Sequence, residues 1–144
     1  MEFEWIEGAA AGFAAAREVR LAVFVNEQGY SEEGEFDETD RTALHLVGYL
    51  LQRPVCTARL FTQGGGVYHV GRVAVCGECR GRGAGLQMMQ IIVEKAKTLG
   101  AHSLVLDAQA DKSDFYRRSG FALTGKKTLD EGNPHVEMRL VLRP

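Results

Sequence analysis

One stretch in the middle of the chain, Tyr68 to Leu99, constrains the fold most. It changes period: a run of β-branched residues gives way to a loop rich in Gly and Arg, and then to a long amphipathic segment. A strand that stops at a glycine loop and restarts as a helix leaves free N–H groups at the start of the helix. Those groups and the helix dipole favour an anion such as phosphate. Arg80 and Arg82 add positive charge there, so the stretch predicts an anion-binding loop between a strand and a helix.

Length and composition indicate one domain covering residues 1–144, with an ordinary apolar core. The formal net charge of −2 argues against nucleic-acid binding. No apolar run approaches the roughly 20 residues of a membrane span, and the acidic N-terminus lacks the basic region of a signal peptide. Three cysteines are an odd number, which favours a reducing compartment over a disulfide framework. We therefore predict a cytoplasmic protein with neither nucleic-acid nor membrane partners.

Hydrophobic periodicity predicts the order strand, helix, three-strand meander, helix, strand, helix and two strands. The predicted strands cover 2–7, 43–51, 55–62, 67–75, 103–109, 121–129 and 136–142, and the predicted turns cover 52–54, 64–66 and 130–134. The predicted helices cover 9–24, 86–99 and 111–119, the second with an apolar stripe of Leu86, Met89, Val93, Ala96 and Leu99. Alternation in the first strand puts Ile6 on the side of the glutamates, and 25–41 is predicted as a long exposed loop. This order predicts an α/β fold with a mixed sheet.

Three phosphate-binding patterns can be compared with the glycine loop. A P-loop needs Lys and then Ser or Thr after its last glycine, whereas Gly85 is followed by an apolar and an amide side chain. A dinucleotide-binding fingerprint needs G-x-G-x-x-G, but Gly81, Gly83 and Gly85 are spaced two and two. Asp107 lies where the ribose-binding acid of that fold would lie, but the preceding meander does not fit it.

The third pattern fits the loop. The segment 80–85, RGRGAG, matches (Q/R)-x-x-G-x-(G/A) and resembles the pyrophosphate loop of the GNAT-type N-acetyltransferases. A predicted strand precedes it and a predicted amphipathic helix follows, as in that family. The short helix further on carries FYRRSGF at 115–121, which is similar to the family's F-Y-x-x-x-G-F segment.

Two further motifs are similar to the small bacterial ElaA/YjcF-like branch of the family. One is VFVNEQG at 23–29, with Asp37, Asp40 and His45 after it, and the other is the closing P-H-x-x-M at 134–138. The resemblance therefore covers almost the whole chain. It implies the GNAT-like acyl-CoA N-acyltransferase fold, a mixed, largely antiparallel sheet with helices on both faces.

The resemblance implies acetyl-CoA as the cofactor, CoA as a product, and direct acetyl transfer to a primary amine of an unidentified small molecule or peptide. The pyrophosphate would bind the loop, and the pantetheine arm would lie along the strand before it. The implied cofactor-binding residues are Val73, Ala74, Val75, Arg80, Gly81, Arg82, Gly83, Ala84, Gly85, Phe115 and Tyr116. A homodimer is compatible with such a fold.

Tyr116 is the position that matches the family's usual general acid. A phenol is protonated at neutral pH and can donate a proton to the leaving thiolate. Some relatives carry Glu before the Arg of the fourth strand, but here Gly71 precedes Arg72, so the base is unassigned. The candidates are Glu27, His45, His69, Asp107 and His135. His135 and Glu27 rank first because they lie in the branch-specific motifs, which also fit residues that shape the acceptor cleft.

Two features leave the function open. The acidic run within 27–40 fits the attraction of a cationic amine, although a run of this kind is more often a solvated loop. The missing carboxylate at Gly71 fits a catalytically silent CoA-binding sensor or interaction module on the same fold, whereas the retained Tyr116 favours an enzyme.

The pair Cys76 and Cys79 forms a C-x-x-C directly before the loop. A redox pair whose oxidation distorts the loop is one interpretation. A zinc site would need two further ligands, for which Cys56 and His69 are available. Two small residues in a turn is the interpretation we favour, so no metal is predicted.

Overall fold

The computed structural model of the protein describes residues 1–143 and contains a seven-stranded sheet. The strands are β1 Glu2–Glu7, β2 Leu44–Leu50, β3 Arg53–Thr62, β4 Val67–Val75, β5 Ser103–Gln109, β6 Ala122–Asp130 and β7 Asn133–Val141. Their order in the sheet is β1-β2-β3-β4-β5-β7-β6. β4 and β5 are parallel, whereas β1–β2, β2–β3, β5–β7 and β6–β7 are antiparallel. The predicted α/β fold with a mixed, largely antiparallel sheet is confirmed.

Four α-helices connect the strands within the described residues. They are α1 Phe13–Arg20, α2 Glu32–Glu35, α3 Ala84–Thr98 and α4 Ser113–Arg118. A π-helical turn, Leu21–Glu27, extends α1, and 3₁₀ turns cover Glu38–Arg41, Gly77–Cys79 and Ala110–Lys112.

The chain divides into two compact units. The first contains Met1–Phe61 and Arg72–Met88, and the second contains Thr62–Gly71 and the chain from Met89 onward. In the first unit, Val19, Val23, Phe24 and Ala74 form one apolar cluster, and Ile6, Ala16 and Val47 form another. In the second unit, buried side chains of β5, α4 and β7 supply the core, among them Leu104, Leu106, Tyr116 and Met138.

Two of the predicted helices begin later than expected. The first, predicted over 9–24, starts at Phe13 because the chain turns at Gly8 and residues 9–12. It loses the α-helical spacing at Leu21, and Gln28 N donates to Val23 O five residues back at 3.0 Å. The prediction that Asp111 starts the short helix was wrong, since a 3₁₀ turn lies there and α4 begins at Ser113.

Two hairpin turns are tighter than predicted. The turn predicted at 52–54 is a two-residue loop at Leu51 and Gln52, because Leu50 pairs with Arg53. The turn predicted at 130–134 is the two-residue loop at 131–132, between Asp130 and Asn133. Proline near the start of a strand misled the first prediction, since that position tolerates the missing N–H.

Burial also differs from the predicted pattern in three places. Ile6 is buried, although alternation grouped it with the glutamates. Leu86 and Leu99 of the predicted stripe are 38% and 41% exposed. The buried face of α3 consists of Met89 and Ala96 from that stripe together with Ala84, Met88 and Ile92, so the stripe identified only part of this face. The region predicted as a long exposed loop contains the buried carboxylates Glu35 and Asp40.

Candidate functional site

The loop between β4 and α3 has an open backbone shaped by two left-handed glycines. Gly81 and Gly83 have φ angles of 77° and 82°, a region that costs an L-residue about 1–2 kcal/mol. Apart from the two neighbouring residues in the chain, no residue has a heavy atom within 4 Å of the place where a Cβ would be at either glycine. The requirement for glycine is therefore conformational, and the space beside this backbone is free for a ligand. The N–H groups that begin α3 have no intrahelical acceptors, so the loop can receive an anion.

The side chain of Arg80 secures this loop within the first unit. Its Nε donates to the Val75 carbonyl at 3.0 Å, and its Nη2 donates to Glu27 Oε1 at 2.7 Å. This hydrogen bond to Glu27 raises the pKa of Arg80. The two candidate residues are thus brought together, with Glu27 engaged as a partner of Arg80. Arg82 is exposed in the loop and adds positive charge beside the open backbone.

The second half of β4 continues past its pairing with β5. In the described residues, the parallel register joins Val67–Val70 to Ser103–Leu106. Arg72, two residues beyond Val70, has a positive φ of 51°, and Val73, Ala74 and Val75 follow it to the loop. Ala74 is buried in the apolar cluster with Val19 and Phe24. The predicted pantetheine-binding residues thus form a strand segment that begins at a backbone irregularity.

A buried ion network lies in the same unit, and we define it as Arg20, Glu35, Asp37, Asp40, Arg59 and Arg72. Arg20 is only 1% exposed, and it donates from Nε to Glu35 at 2.9 Å and from Nη1 to Asp40 at 2.7 Å. Arg59 Nη1 donates to Asp37 at 2.7 Å and to Asp40 at 2.9 Å. In such a network each desolvated charge is paired with a charge of opposite sign. The same contacts fix the 35–40 segment against β3.

The network sets the protonation of its carboxylates. Burial is the largest single influence on the pKa of Asp40 and works to raise it, but the hydrogen bonds from Arg20, Arg59 and the Asp37 N–H and the charge of Arg20 together hold that pKa below its usual value. Asp37 behaves in the same way through Arg59. Burial dominates for Glu35, whose pKa is raised although Arg72 and Arg20 oppose the shift.

His45, one of the candidate bases, belongs to the surroundings of this network. Its Nε2 donates to the Asp40 carbonyl at 3.0 Å, and its ring lies edge-on to Phe13 with centroids 4.9 Å apart. Burial lowers its pKa, so the ring is neutral at pH 7. These contacts give His45 a packing and hydrogen-bonding role.

The second unit holds the other candidates. Tyr116 on α4 is buried, with its ring edge-on to Phe115 and Phe121 at centroid distances of 5.0 and 6.2 Å. Burial raises the pKa of Tyr116, so the phenol keeps its proton at neutral pH. On β7, His135 is also buried, and its Nδ1 donates to the Asn133 carbonyl at 3.0 Å. Asp107 is exposed on β5.

The remaining candidates are His69 and the three cysteines. His69 is partly exposed on β4 and pairs in register with Val105. All three thiols are free. Burial raises the pKa of Cys56 to about 11 and also raises the pKa of Cys76. Cys79 N donates to the Cys76 carbonyl at 2.9 Å within a 3₁₀ turn.

Residues 1–143 contain no group of three or more His, Cys, Asp or Glu side chains arranged to hold a metal ion. No helix among them has the length and apolar character that a membrane crossing requires.

The sequence of this chain matches one protein family and several individual relatives. Residues 11–142 match the family described as Acetyltransferase (GNAT) domain. The chain is 34% identical over 121 residues to the uncharacterized N-acetyltransferase YjcF of Bacillus subtilis, a match that covers 83% of this chain and 86% of the relative.

Structural comparison extends the likeness to almost every residue. The crystal structure of Escherichia coli ElaA has a TM-score of 0.84 at 27% identity, covering 99% of this chain and 100% of that one. An acyl-CoA N-acyltransferase from Pseudomonas aeruginosa also has a TM-score of 0.84, at 26% identity and with 99% of both chains covered. The fold is therefore shared with these proteins over almost their full length.

Proposed function

Because the chain belongs to the GNAT acetyltransferase family, we propose that it transfers an acetyl group from acetyl-CoA directly to a primary amine of a small molecule or peptide. The observation that carries the proposal is the open loop at the start of α3. Gly81 and Gly83 are left-handed there, with free space where side chains would otherwise lie. The acceptor is a cationic amine in water, so a group that removes its proton is required before it can attack.

Acetyl-CoA fits the residues of the first unit. The backbone of 80–85 and the first turn of α3 would hold its pyrophosphate, because unpaired N–H groups and the helix dipole favour an anion. The exposed Arg82 adds charge at this point. The backbone of Val73–Val75, beyond the register with β5, would pair with the pantetheine arm as an added strand does. When bound, the cofactor supplies an acetyl group activated as a thioester.

Tyr116 is the group that we propose as the general acid. Its phenol holds a proton at neutral pH because burial raises its pKa. In this role its Oη donates that proton to the thiolate that leaves the acetyl group, while Phe115 packs beside its ring. A raised pKa makes the donation thermodynamically harder than from an exposed phenol, which is the cost of keeping the acid protonated.

His135 is the candidate base that the hydrogen bonds favour. A carbonyl only accepts, so the contact with Asn133 assigns the ring proton to Nδ1. Nε2 then carries the lone pair and can take a proton from an ammonium group. Glu27 is less suited, since its carboxylate is engaged with Arg80.

The test is a comparison of native protein with Tyr116→Phe. Calorimetric titration with acetyl-CoA measures binding, and thiol release against a panel of primary amines measures turnover. We expect the variant to bind acetyl-CoA within about twofold of the native protein. We expect it to lose about 10²-fold in kcat, the lower range for a general acid. Tyr68→Phe is the matched control, because Tyr68 lies on β4 outside the proposed site, and it should leave both quantities unchanged.

Two outcomes would contradict the proposal. Failure of the native protein to bind acetyl-CoA would exclude the cofactor assignment. Tight binding without turnover of any amine in the panel would favour a CoA-binding sensor or interaction module on the same fold. Equal kcat for Tyr116→Phe and native protein would remove Tyr116 from the mechanism and leave the acetyl transfer standing.

Two coarser properties are part of the same proposal. We propose a single acetyltransferase domain and a cytoplasmic location, and the fold is compatible with a homodimer. The match of residues 11–142 to one domain family supports the first, and the three free thiols agree with a reducing compartment. Sedimentation equilibrium of the purified protein would test the dimer.

A further inference from the structure

Arg72 adopts a backbone conformation that its residue type disfavours. Its φ of 51° lies in the left-handed region, which costs a side chain with a Cβ about 1–2 kcal/mol. Such a conformation persists only where surrounding contacts over-determine it. Arg72 is also the residue directly before Val73–Val75, so its backbone sets the direction in which that segment starts.

The contacts that hold Arg72 come from one short segment, 34–37. Nε of Arg72 lies 3.0 Å from Glu35 Oε2 and donates to the Glu35 carbonyl at 3.2 Å. Nη2 lies 3.4 Å from both the Gly34 carbonyl and Asp37 Oδ2. The Arg72 side chain is 24% exposed and that of Glu35 only 5%. Two carbonyls and two carboxylates thus surround one planar guanidinium, a geometry that Lys cannot reproduce.

The 34–37 segment is itself firmly attached, so it can act as an anchor. Arg20 Nη2 donates to the Glu35 carbonyl at 2.7 Å, in addition to its ion pairs with Glu35 and Asp40. Arg59 holds Asp37 at 2.7 Å. The anchor therefore rests on α1 and β3 through buried guanidinium groups, and not on exposed loop contacts.

The segment Val73–Val75 is held at its far end as well. Arg80 donates to the Val75 carbonyl at 3.0 Å, and Ala74 is buried against Val19 and Phe24. The irregular start at Arg72 is the end where the buried ion network holds the side chain.

We propose that Arg72 is a positioning residue for acetyl-CoA, held by Glu35 and Asp37 so that the backbone of Val73–Val75 is preorganised for the cofactor. This inference rests on the proposed function, since it assigns a task to the segment that would pair with the pantetheine arm. Preorganisation raises affinity because the backbone is ordered before the ligand arrives. The buried ion network then links the acidic segment of the chain to cofactor binding, without any contact between its carboxylates and the cofactor.

Arg72→Gly separates positioning from stability. Glycine suits a φ of 51° and relieves the backbone, whereas the guanidinium anchor is lost. We expect the dissociation constant for acetyl-CoA to rise about tenfold. Without cofactor, hydrogen exchange of the peptide that contains 73–75 should become faster. We expect Arg72→Lys, which keeps the charge and loses the planar fork, to lie between Arg72→Gly and the native protein in both measurements.

A second variant tests the inference in the event that Arg72→Gly does not fold. The double substitution Arg72→Gly with Glu35→Gln leaves no buried carboxylate without its partner, and the same tenfold loss is expected. Arg41→Gln is the matched control, because it removes an exposed 3.6 Å ion pair with Glu38 that lies outside both the 34–37 segment and β4. We expect this control to bind acetyl-CoA as the native protein does.

The outcomes distinguish this inference from the proposed function. Native acetyl-CoA affinity in Arg72→Gly or in the double variant, with unchanged exchange at 73–75, would overturn the positioning role and leave the acetyltransferase proposal intact. A native protein that binds no acetyl-CoA would overturn both.

Discussion

Arg80 and Glu27 lie 53 residues apart in the sequence and form a two-point ion pair, with Nη2 of Arg80 donating to Oε1 of Glu27 at 2.7 Å. Their side chains are 42% and 45% exposed, so the pair contributes at most about 1 kcal/mol to stability. Its consequence is geometric. The same guanidinium donates to the Val75 carbonyl, so it joins the π-helical turn, the end of β4 and the entry of the loop.

Substitution of Glu27 by Gln tests whether this residue anchors the loop or acts as the base. Loss of the carboxylate weakens the hold on Arg80, so we expect the dissociation constant for acetyl-CoA to rise about threefold, for an anchor worth roughly 0.7 kcal/mol. Thermal stability should change little. The acidic limb of the kcat/KM profile should persist, because Glu27 is not the group that titrates there. Calorimetric titration measures the dissociation constant, and a pH–rate profile with one accepted amine measures the acidic limb.

Glu32→Gln serves as the control for this change, since it breaks the exposed pair with Arg17 and touches neither the loop nor β4. Loss of the acidic limb in Glu27→Gln, with native acetyl-CoA affinity, would assign the base to Glu27 and reverse the ranking given above.

Asp40 should make the protein less stable in acid. Its pKa lies below the usual 3.8 in the folded state because the hydrogen bonds from Arg20, Arg59 and the Asp37 N–H and the charge of Arg20 together outweigh burial. The folded state therefore binds this proton less tightly than the unfolded state does. The resulting stability is present above the unfolded value and is lost as the pH falls through the folded pKa. We expect Asp40→Asn to flatten urea-derived stability between pH 4 and pH 2 and to cost about 3–5 kcal/mol at pH 7.

Glu35→Gln provides the comparison of opposite sign. Burial raises the pKa of Glu35 above its usual 4.5. The contribution of this group to folding stability is therefore complete below pH 4.5 and is lost as the pH rises through the folded pKa. Relative to the native protein, Glu35→Gln should gain stability between pH 4.5 and neutrality. A parallel pH dependence in Asp40→Asn and Glu35→Gln would contradict these assignments.

The loop between β2 and β3 should be easy to stabilise. Leu51 and Gln52 have φ angles of 51° and 66°, and such a two-residue loop favours Asn-Gly. We expect Gln52→Gly to raise the free energy of unfolding by about 0.5–1 kcal/mol, the strain relieved less the added entropy of the unfolded chain. That gain corresponds to roughly 2–4 °C in Tm for a chain of this size.

The same chemical change elsewhere should have the opposite effect. Gln90 is exposed within α3, and Gln90→Gly should cost about 1 kcal/mol because glycine disfavours helix. Differential scanning calorimetry of both variants decides the matter. Equal destabilisation by the two would mean that the loop is not strained.

The sequence predicted best those features that local chemistry dictates. The bounds of β4 at Val67 and Val75 were confirmed, because a glycine turn precedes the strand and the loop follows it. The place of glycines in that loop follows from the same local chemistry, since only glycine adopts left-handed angles freely. The assignment to the GNAT family depended on those spacings and was confirmed by the family match.

The buried ion network was missed because its members are far apart in the chain. Glu35 and Asp40 occur in an acidic run that reads as solvated, and their partners Arg20 and Arg59 come from α1 and β3. Periodicity cannot show that a charged residue is buried when the compensating charge lies 15–20 residues away. The sequence signal for these residues was that Asp37, Asp40 and His45 lie in one motif of the family branch. That motif did not indicate which side chains pair with the carboxylates.

The positive φ angle of Arg72 could not be predicted from the sequence, for a related reason. A positive φ at a non-glycine residue arises when tertiary contacts outweigh local preference, and here those contacts come from 34–37. The departure noted at Gly71 drew attention to a missing carboxylate at that position. In the structure, the carboxylates beside Arg72 belong to Glu35 and Asp37 instead.

Cys76 should react slowly with electrophiles despite its place in a C-x-x-C. Burial raises its pKa, and the thiolate is the reactive form. We expect iodoacetamide to label Cys76 more slowly than a free thiol at pH 7.5, with labelling that increases up to pH 9.5, and to leave the buried Cys56 unmodified. Peptide mass spectrometry gives the rate, and labelling in urea supplies the unfolded control. Because the pair is then not poised for oxidation, affinity for acetyl-CoA should be the same in reducing and mildly oxidising buffer. Rapid labelling at pH 7 together with oxidation-dependent affinity would instead assign a redox role to Cys76 and Cys79.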